Sequence, residues 1–147
     1  HKIQISEIIN KIMNLFPSMK EKIIMHNSIP NEEIIVDETK FIIALRNLLD
    51  NALKYGVGNK VALNIEKKDD FMFKVEDLGI GISEGNIEKI TQPFFQTDKK
   101  DYKQGIGLGL TICKKIIESH QGWLSIQSKL GQGSIFTLHI PIQKIKG

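Results

Sequence analysis

Hydrophobic residues recur at helical spacing most clearly in the segment DETKFIIALRNLLDNALKY, from Asp37 to about Tyr55. At about 100° per residue, the residues that share its apolar face are Phe41, Ile42, Leu45, Leu48, Leu49, Ala52 and Leu53. Asn47, Asn51 and Lys54 lie together on the opposite face, with Tyr55 at its edge. The pattern predicts an amphipathic helix capped by Asp37, around which the rest of the chain is organised.

Two further helices are predicted on either side of this central one. The first runs from Glu7 to about Met19 with Ser6 as its N-cap, and it carries apolar residues at helical spacing. The other follows the segment GIGLGL and ends near Ser119.

Elsewhere, apolar and polar residues alternate or form short apolar runs, which predicts β-strands. The predicted strands are residues 3–5, 22–29, 60–67, 71–75, 123–128 and 134–140, and residues 31–36 are predicted to be an extended connector. Two pairs of these strands are expected to form hairpins, one around Asp69-Asp70 and the other around Gly131-Gln132-Gly133.

The predicted element order is β-α-β-α-β-β-lid-α-β-β. Residues 83–104 are polar and weakly periodic, and a loop of this length inside a compact domain is typically a lid or disordered. The order predicts an α/β (α+β) two-layer sandwich, with a mixed β-sheet and about three helices on one face. We expect residues 1–147 to form one domain.

Composition narrows the class of function. The chain has 147 residues, 41% of them hydrophobic, and a formal charge of +3 from scattered lysines, with Arg46 as its one arginine. Nucleic-acid binders concentrate Arg and Lys with aromatics on one surface, so no nucleic-acid partner is expected. A single cysteine, Cys113, permits no internal disulfide and fits a reducing compartment. No segment is apolar enough to span a bilayer, so we expect a cytoplasmic domain; a membrane anchor elsewhere in a longer parent chain remains compatible.

The polar face of the central helix is one candidate for chemistry. Amide oxygens suit a hard cation such as Mg²⁺, and a nearby lysine suits phosphate; the alternative is an ordinary solvated face. Asp77 is the second candidate, because it ends a strand and is followed by Gly79 and Gly81. An ionised carboxylate only accepts hydrogen bonds and could read the amino group of an adenine, although Asp and Gly also make ordinary turns.

A third candidate is the set of glycines at 105, 107 and 109, which are predicted to precede a helix. Backbone N–H groups at a helix N-terminus favour an anion; the alternative is a flexible loop. A dinucleotide-binding fold would need a strand just before these glycines, but the preceding residues are DKKDYKQ. The phosphate-binding motif GxxxxGK[ST] is also absent from the sequence.

Taken together, NLLDNALKY, DLGIGI, QPFF, GIGLGL and GQGSIFTL occur in order along the chain. The series resembles the ATP-binding catalytic domain of sensor histidine kinases, in the superfamily shared with gyrase, heat-shock chaperones and mismatch-repair ATPases. The resemblance covers nearly the whole chain.

The resemblance implies a role for each matching residue. Asn51 would hold Mg²⁺ with Asn47 assisting, Lys54 would contact phosphate, and Asp77 would read the adenine. The implied catalytic residues are Asn47, Asn51 and Lys54, and the implied metal ligands are Asn51, Asn47 and Gln104. The implied nucleotide-binding residues are Asn51, Lys54, Tyr55, Asp77, Gly79, Gly81, Ile82, Phe94, Lys103, Gln104, Gly105, Gly107, Leu108 and Gly109.

Two features depart from the family pattern. The family often has F-E-P-F before the lid and an arginine soon after, whereas this chain reads TQPFFQ and has no lid arginine. Contact with the γ-phosphate would then fall to Lys99, Lys100 or Lys103, which offer a point charge rather than a bidentate fork. The chain also shows no phosphoacceptor segment, so the dimerisation and phosphoacceptor domain is expected elsewhere.

The function implied is Mg-ATP binding and donation of the γ-phosphoryl group to a histidine on the dimerisation domain of the same parent chain. That parent would be a homodimeric, two-component sensor kinase acting on a response regulator. One alternative is an ATP hydrolase of the same superfamily, which Asn47 disfavours because an amide cannot deprotonate water. The other is an ATP-binding regulatory module without phosphotransfer.

The remaining conspicuous residues are expected to be structural. Cys113 is predicted to pack inside its helix, and His120 to interact with the C-terminal dipole of that helix. Trp123 and Phe136 are predicted to be core residues, and His139 a strand residue.

Overall fold

The fold is described by a computed structural model for residues 1–17, 22–55, 60–77, 106–129 and 133–142. The elements in order are β1 (Lys2–Gln4), α1 (Ile5–Asn14), β2 (Ile23–Asn27), β3 (Glu33–Ile35), α2 (Glu38–Tyr55), β4 (Val61–Lys67), β5 (Asp70–Asp77), α3 (Ile106–Ser119), β6 (Trp123–Lys129) and β7 (Gly133–Pro141).

Within the described residues, the main sheet has five strands in the order β2-β4-β5-β7-β6. β2 runs parallel to β4, and every other neighbouring pair is antiparallel. The sheet is therefore mixed, as predicted, and both predicted hairpins, β4–β5 and β6–β7, are confirmed.

The two faces of this sheet differ sharply in burial. Along β5, Phe71, Phe73 and Val75 are buried, whereas Met72, Lys74 and Glu76 between them are half-buried. Period-2 alternation places the first set on one face and the second set on the other. The buried set joins one hydrophobic core with residues of all three described helices. We call this the helix face and the opposite one the open face; the two-layer sandwich is confirmed.

Helix α2 lies at the centre of the core. Its buried residues are Phe41, Ala44, Leu45, Leu48, Leu49 and Ala52, with Ile42 and Leu53 partly buried. Phe41 meets Phe73 of β5 edge to face, with ring centroids 4.8 Å apart. Asp37 caps the helix as predicted, because its Oδ1 accepts a hydrogen bond from the Lys40 N–H at 3.1 Å.

The N-terminal region differs from the prediction at both ends of its helix. α1 begins at Ile5, so Ser6 lies inside the first turn, and the N-cap is Gln4 without a side-chain hydrogen bond. The helix ends at Asn14, earlier than predicted, and Pro17 shortly beyond it has no N–H with which to continue the helical ladder.

The segment predicted to be a connector contains β3. It pairs with β1 in a separate antiparallel sheet, with Ile3 opposite Ile34, and both side chains are buried. Three residues are too few to show alternation, so the strand is set by this long-range pairing rather than by local pattern.

The junction between α3 and β6 is tightly constrained. Gln121 has a φ of 59°, in the left-handed region, and the Gly122 N–H donates to the Ile117 carbonyl at 2.9 Å. This is the hydrogen bond that closes an α-helix when the residue after its end adopts the left-handed conformation. A Cβ on Gly122 would lie 2.0 Å from the His139 carbonyl oxygen. Glycine is required here because the backbone of β7 leaves no room for a side chain.

Of the two aromatic residues predicted in the closing hairpin, one is in the core and the other is not. Phe136 is buried. Trp123 is 48% exposed, so the prediction for it was wrong: it lies on the open face, where no described helix covers it.

Candidate functional site

Two predicted site residues lie one helical turn apart on α2. Asn47 and Asn51 are both half-buried, although Leu48 and Leu49 beside them are almost completely buried. The apolar side of the helix is fixed against the sheet, so the direction of the two amides is fixed with it.

The Asn51 amide carries the one buried side-chain polar atom that lacks a hydrogen-bond partner among the described residues. This atom is the amide nitrogen, Nδ2. A Cβ built on Gly109 would lie 3.7 Å from this atom, so the amide borders the start of α3. An unpaired buried donor costs about 1–3 kcal/mol, which suggests that an acceptor is supplied from outside the described residues.

The glycines at 107 and 109 lie in the first turn of α3 rather than before it, since the helix begins at Ile106. Glycine weakens a helix interior, but Leu110, Cys113 and Ile117 of the same helix are almost completely buried in the core. This packing extends the helix into the glycine segment. The first N–H groups of a helix still lack intrahelical partners, so the predicted anion preference keeps its physical basis.

Asp77 is the last residue of β5 and lies opposite Ser134 of β7. It shares the helix face with Phe73 and Val75 and is 8% exposed. Asp77 is therefore a buried carboxylate at the end of a strand, which is where the sequence predicts the acceptor for the adenine amino group.

The other predicted site residues fall outside what the structure describes. Those outside the described residues are Gly79, Gly81, Ile82, Phe94, Lys99, Lys100, Lys103, Gln104 and Gly105, together with the whole lid, 83–104. Lys54, Tyr55, Gly107 and Leu108 lie in helices, and only their backbones are described. Their roles remain predictions.

Two side-chain hydrogen bonds among the described residues link α3 to α2 and to its N-cap, Asp37. The Cys113 thiol donates to the Ala44 carbonyl at 3.0 Å, and burial raises the pKa of this thiol to about 12. The predicted packing role of Cys113 is thereby confirmed.

The second contact involves His120. Its Nδ1 donates to the Ile116 carbonyl at 2.8 Å, and its Nε2 accepts from the Asp37 N–H at 2.9 Å. His120 therefore links the end of α3 to the start of α2, a role beyond the predicted interaction with its own helix. The sequence gives no signal for it, because it depends on two distant helix ends meeting in space.

Other sites are less suited to the predicted chemistry. A cavity of about 550 Å³ lies at the opposite end of β5 from Asp77, lined by Lys2, Phe71 and Ile142 among others, and it contains none of the predicted site residues. Among the described residues, no three His, Cys, Asp or Glu side chains are grouped to hold a metal ion. Nor does any described helix combine the length and apolar character needed to cross a membrane.

Curated proteins similar to this chain include a sensor kinase/phosphatase. The chain is 33% identical over 153 residues to the autoinducer 2 sensor kinase/phosphatase LuxQ of Vibrio vulnificus (strain YJ016), an alignment covering 94% of this chain and 18% of LuxQ. The chain spans less than a fifth of the length of the curated relatives it matches.

Solved structures of histidine kinases share this fold. The catalytic domain of histidine kinase ThkA superposes with a TM-score of 0.77 at 27% identity, covering 96% of this chain and 94% of that one. Full-length ShkA in complex with AMPPNP gives a TM-score of 0.82 at 28% identity, covering 96% of this chain and 30% of ShkA. The family model described as histidine kinase-, DNA gyrase B-, and HSP90-like ATPase matches residues 36–144, and the chain therefore belongs to this family.

Proposed function

We propose that this chain binds Mg-ATP and donates the γ-phosphoryl group to a histidine on the dimerisation domain of its parent sensor kinase. Membership of the ATPase family supports nucleotide binding. Similarity to LuxQ, a sensor kinase/phosphatase, supports phosphotransfer rather than hydrolysis. The nucleotide analogue in the ShkA complex supports the use of ATP.

The observation that carries the proposal is the buried amide nitrogen of Asn51, which lies beside Gly109 and has no hydrogen-bond partner among the described residues. A side-chain amide can both coordinate a hard cation through oxygen and donate to phosphate through nitrogen. The first turn of α3 adds backbone N–H groups at the same place. This set of groups fits a triphosphate with Mg²⁺.

The remaining roles are assigned on the family pattern. Asn47 and Gln104 would share the metal with Asn51, and Lys54 would contact phosphate. Asp77 would accept a hydrogen bond from the adenine amino group. The base pocket and lid would use Tyr55, Gly79, Gly81, Ile82, Phe94, Lys103, Gly105, Gly107, Leu108 and Gly109.

Phosphoryl transfer requires mainly positioning and stabilisation of charge, with little covalent work from the protein. Bound Mg²⁺ would supply neutralisation of charge on the phosphates. The chain's own contribution would be to hold the base at Asp77 and the phosphates at Asn51. These residues belong to different elements, α2 and β5, which pack together in one hydrophobic core that includes the Phe41–Phe73 contact.

Hydrolysis of ATP is the first rival function. It requires a general base for water, and the residue one turn before Asn51 is Asn47, whose amide cannot take a proton. The second rival is a regulatory module that binds ATP without transferring it, for which the absent lid arginine is the main support.

The partners proposed follow from the short span of this chain relative to its relatives. The parent would carry the dimerisation and phosphoacceptor domain, act as a homodimer and phosphorylate a response regulator. We place this domain in the cytoplasm, a location compatible with a parent that is anchored in the inner membrane.

Calorimetric titration with ATP, with and without Mg²⁺, tests the nucleotide site. Asn51→Ala should weaken Mg-ATP binding at least about tenfold, since a hydrogen bond to a charged group contributes about 1.5–3 kcal/mol. Asn64→Ala is the matched control, because Asn64 is a half-buried asparagine on the open face of β4. Equal affinities for the two variants would remove the basis of the proposal.

Phosphotransfer is tested in the full parent chain, which supplies the acceptor histidine. The expected product is an acid-labile, base-stable phosphate that requires ATP and Mg²⁺. ATP binding without this product would favour the regulatory module, and rapid ATP hydrolysis without it would favour the hydrolase.

A further inference from the structure

Four side chains meet on the open face of the sheet, at its β6 edge. They are Asp70 at the start of β5, Ser125 and Trp123 on β6, and His139 on β7. The strand register brings them together, because His139 lies opposite Trp123 on one side and Met72 on the other. None of them is among the residues implied for nucleotide binding.

His139 joins the serine to the aspartate. Its Nδ1 lies 2.9 Å from Asp70 Oδ2, and its Nε2 lies 2.8 Å from Ser125 Oγ. An ionised carboxylate only accepts hydrogen bonds, so Nδ1 must be the donor. In the neutral imidazole, Nε2 then accepts from the Ser125 hydroxyl, which is the arrangement that prepares a serine for proton transfer.

The His139 imidazole is also restrained by contacts with Trp123 and with the backbone at Gly122. The Trp123 ring stacks on it at 4.6 Å, with the two planes 6° apart. The close approach of Gly122 to the His139 carbonyl fixes the backbone beneath it. The side chains of Asp70 and His139 are only 12% and 15% exposed, so solvent competes little for their hydrogen bond.

Ser125 remains accessible to a reactant. It is half-buried, it lies on an edge strand, and its face of the sheet carries no described helix. A nucleophile, a base within hydrogen-bond distance and a carboxylate that orients the base are thus present together near the edge of the sheet. This is the group pattern of a serine acyl-transfer site, which is recognised by geometry rather than by sequence order.

We propose that Ser125 is a nucleophile for acyl transfer from small activated esters, with His139 as general base and Asp70 as the positioning residue. The site is separate from the nucleotide site, because Asp70 and Asp77 lie at opposite ends of β5 and on opposite faces of the sheet.

The chemical step requires no further reactant than the ester and water. Ser125 Oγ forms a bond to the acyl carbon while its proton moves to His139 Nε2, and the bond from the acyl carbon to the leaving oxygen breaks. The leaving oxygen keeps the electron pair and takes the proton from His139. Water then attacks the acyl-serine, giving its proton to His139, which returns it to Ser125 as the carboxylic acid departs.

The substrate class follows from the groups present. Donors aimed at the developing oxyanion are usually the largest source of catalysis in such reactions, whereas the groups established here are the nucleophile, base and carboxylate. The esters expected to react with these groups are therefore aryl esters, whose aryloxide leaving groups depart readily. p-Nitrophenyl acetate is the probe of this class.

The chain contains its own comparison for Ser125. Ser119 also lies beside an imidazole, with its Oγ 3.4 Å from His120 Nδ1. That imidazole already donates from Nδ1 to Ile116 and accepts at Nε2 from Asp37. It has no nitrogen left to take the Ser119 proton, so Ser119 should be unreactive.

The test is acetylation of the whole chain by p-nitrophenyl acetate, followed by release of p-nitrophenolate and by peptide mass spectrometry. Ser125 should be acetylated faster than Ser119, and Ser125→Ala should abolish the adduct at that position. His139→Gln should slow acetylation of Ser125 by about 100-fold or more, the usual contribution of a general base. Ser119→Ala is the matched control and should change nothing.

The role of Asp70 is tested separately from its effect on folding. Asp70→Asn should slow acetylation with little change in the thermal unfolding curve, and Asp70→Glu should recover part of the rate because it restores a carboxylate. Equal acetylation of Ser125 and Ser119, or a rate at Ser125 that is unaffected by His139→Gln, would overturn the proposal.

Discussion

The two ends of β5 carry the same residue in two different settings. Asp70 and Asp77 are both 8% exposed and lie about 23 Å apart along the strand, at about 3.3 Å per residue. Seven residues is an odd separation, so Asp70 points to the open face and Asp77 to the helix face. Burial alone therefore does not decide what an aspartate does; the face it occupies and the elements packed there do.

On the helix face, the neighbouring elements bring groups that suit a nucleotide. The start of α3 and the polar side of α2 meet there, and the Asn51 amide nitrogen is left without a partner among the described residues. On the open face, by contrast, Asp70 already has an imidazole as its partner. The first arrangement leaves a donor to be satisfied from outside the described residues, and the second satisfies its groups internally.

The largest effect should come from removing the core contact that supports the helix face. Phe73 is completely buried and packs edge-on against Phe41, so Phe73→Ala should lower the free energy of unfolding by about 3–5 kcal/mol. Met72→Ala is the matched control on the same strand, because Met72 is half-buried on the open face. Urea denaturation followed by circular dichroism measures both, and similar losses would contradict the assignment of the two faces.

The next largest effect is expected on ATP affinity, which should depend on Asp77 but not on Asp70. Asp77→Asn should weaken ATP binding about 10–100-fold, because it replaces a charged acceptor by an amide. Asp70→Asn should leave the affinity unchanged, since its side chain points to the other face. Calorimetric titration of both variants decides the comparison, and an unchanged affinity for Asp77→Asn would leave the adenine-reading role without support.

Whether the sequence predicts the setting of each aspartate depends on how far apart along the chain the interacting residues lie. The position of Asp77 follows from local features, namely an alternating strand and the glycines after it, and the central helix follows from its apolar periodicity. The hydrogen bonds of Asp70 do not, because its partner His139 is 69 residues away and becomes a neighbour only through the register of β5 and β7.

Two of the errors have the same origin. Trp123 was expected in the core as part of the closing hairpin, yet its place in β6 puts it on the open face. β3 was missed because three residues carry no period, and its partner β1 lies about 30 residues earlier. Local pattern predicted the elements that contain a full repeat, whereas contacts between distant strands and helix ends required the assembled fold.

A smaller effect is expected from breaking the open-face cluster. His139→Ala removes both hydrogen bonds of the imidazole and leaves the buried carboxylate of Asp70 unpaired, which should lower the free energy of unfolding by about 1–3 kcal/mol. It also removes the ring stacked on Trp123, the one tryptophan of the chain. Iodide quenching of tryptophan emission should therefore increase, whereas ATP affinity should not change. Unchanged quenching would contradict the stacked geometry.

The smallest effect should come from an exposed ion pair on the same open face. Glu66 and Lys74 pair across β4 and β5, with side chains about one-third exposed. The hydrogen bond from Lys74 lowers the pKa of the Glu66 carboxyl below its usual value of 4.5, against a smaller opposing effect of desolvation. The folded state therefore favours the ionised form, so the contribution of the pair to stability is present above pH 4.5 and is lost as the pH falls through the lowered pKa.

Solvent and salt screen the Glu66–Lys74 pair, so Glu66→Gln should change the free energy of unfolding by less than about 1 kcal/mol at neutral pH, and by less still in 1 M salt. Urea denaturation of wild type and Glu66→Gln at neutral and acidic pH measures this, with His139→Ala as the comparison. If Glu66→Gln cost as much as His139→Ala, exposure would not be what separates a weak hydrogen-bonded pair from a strong one on this face of the sheet.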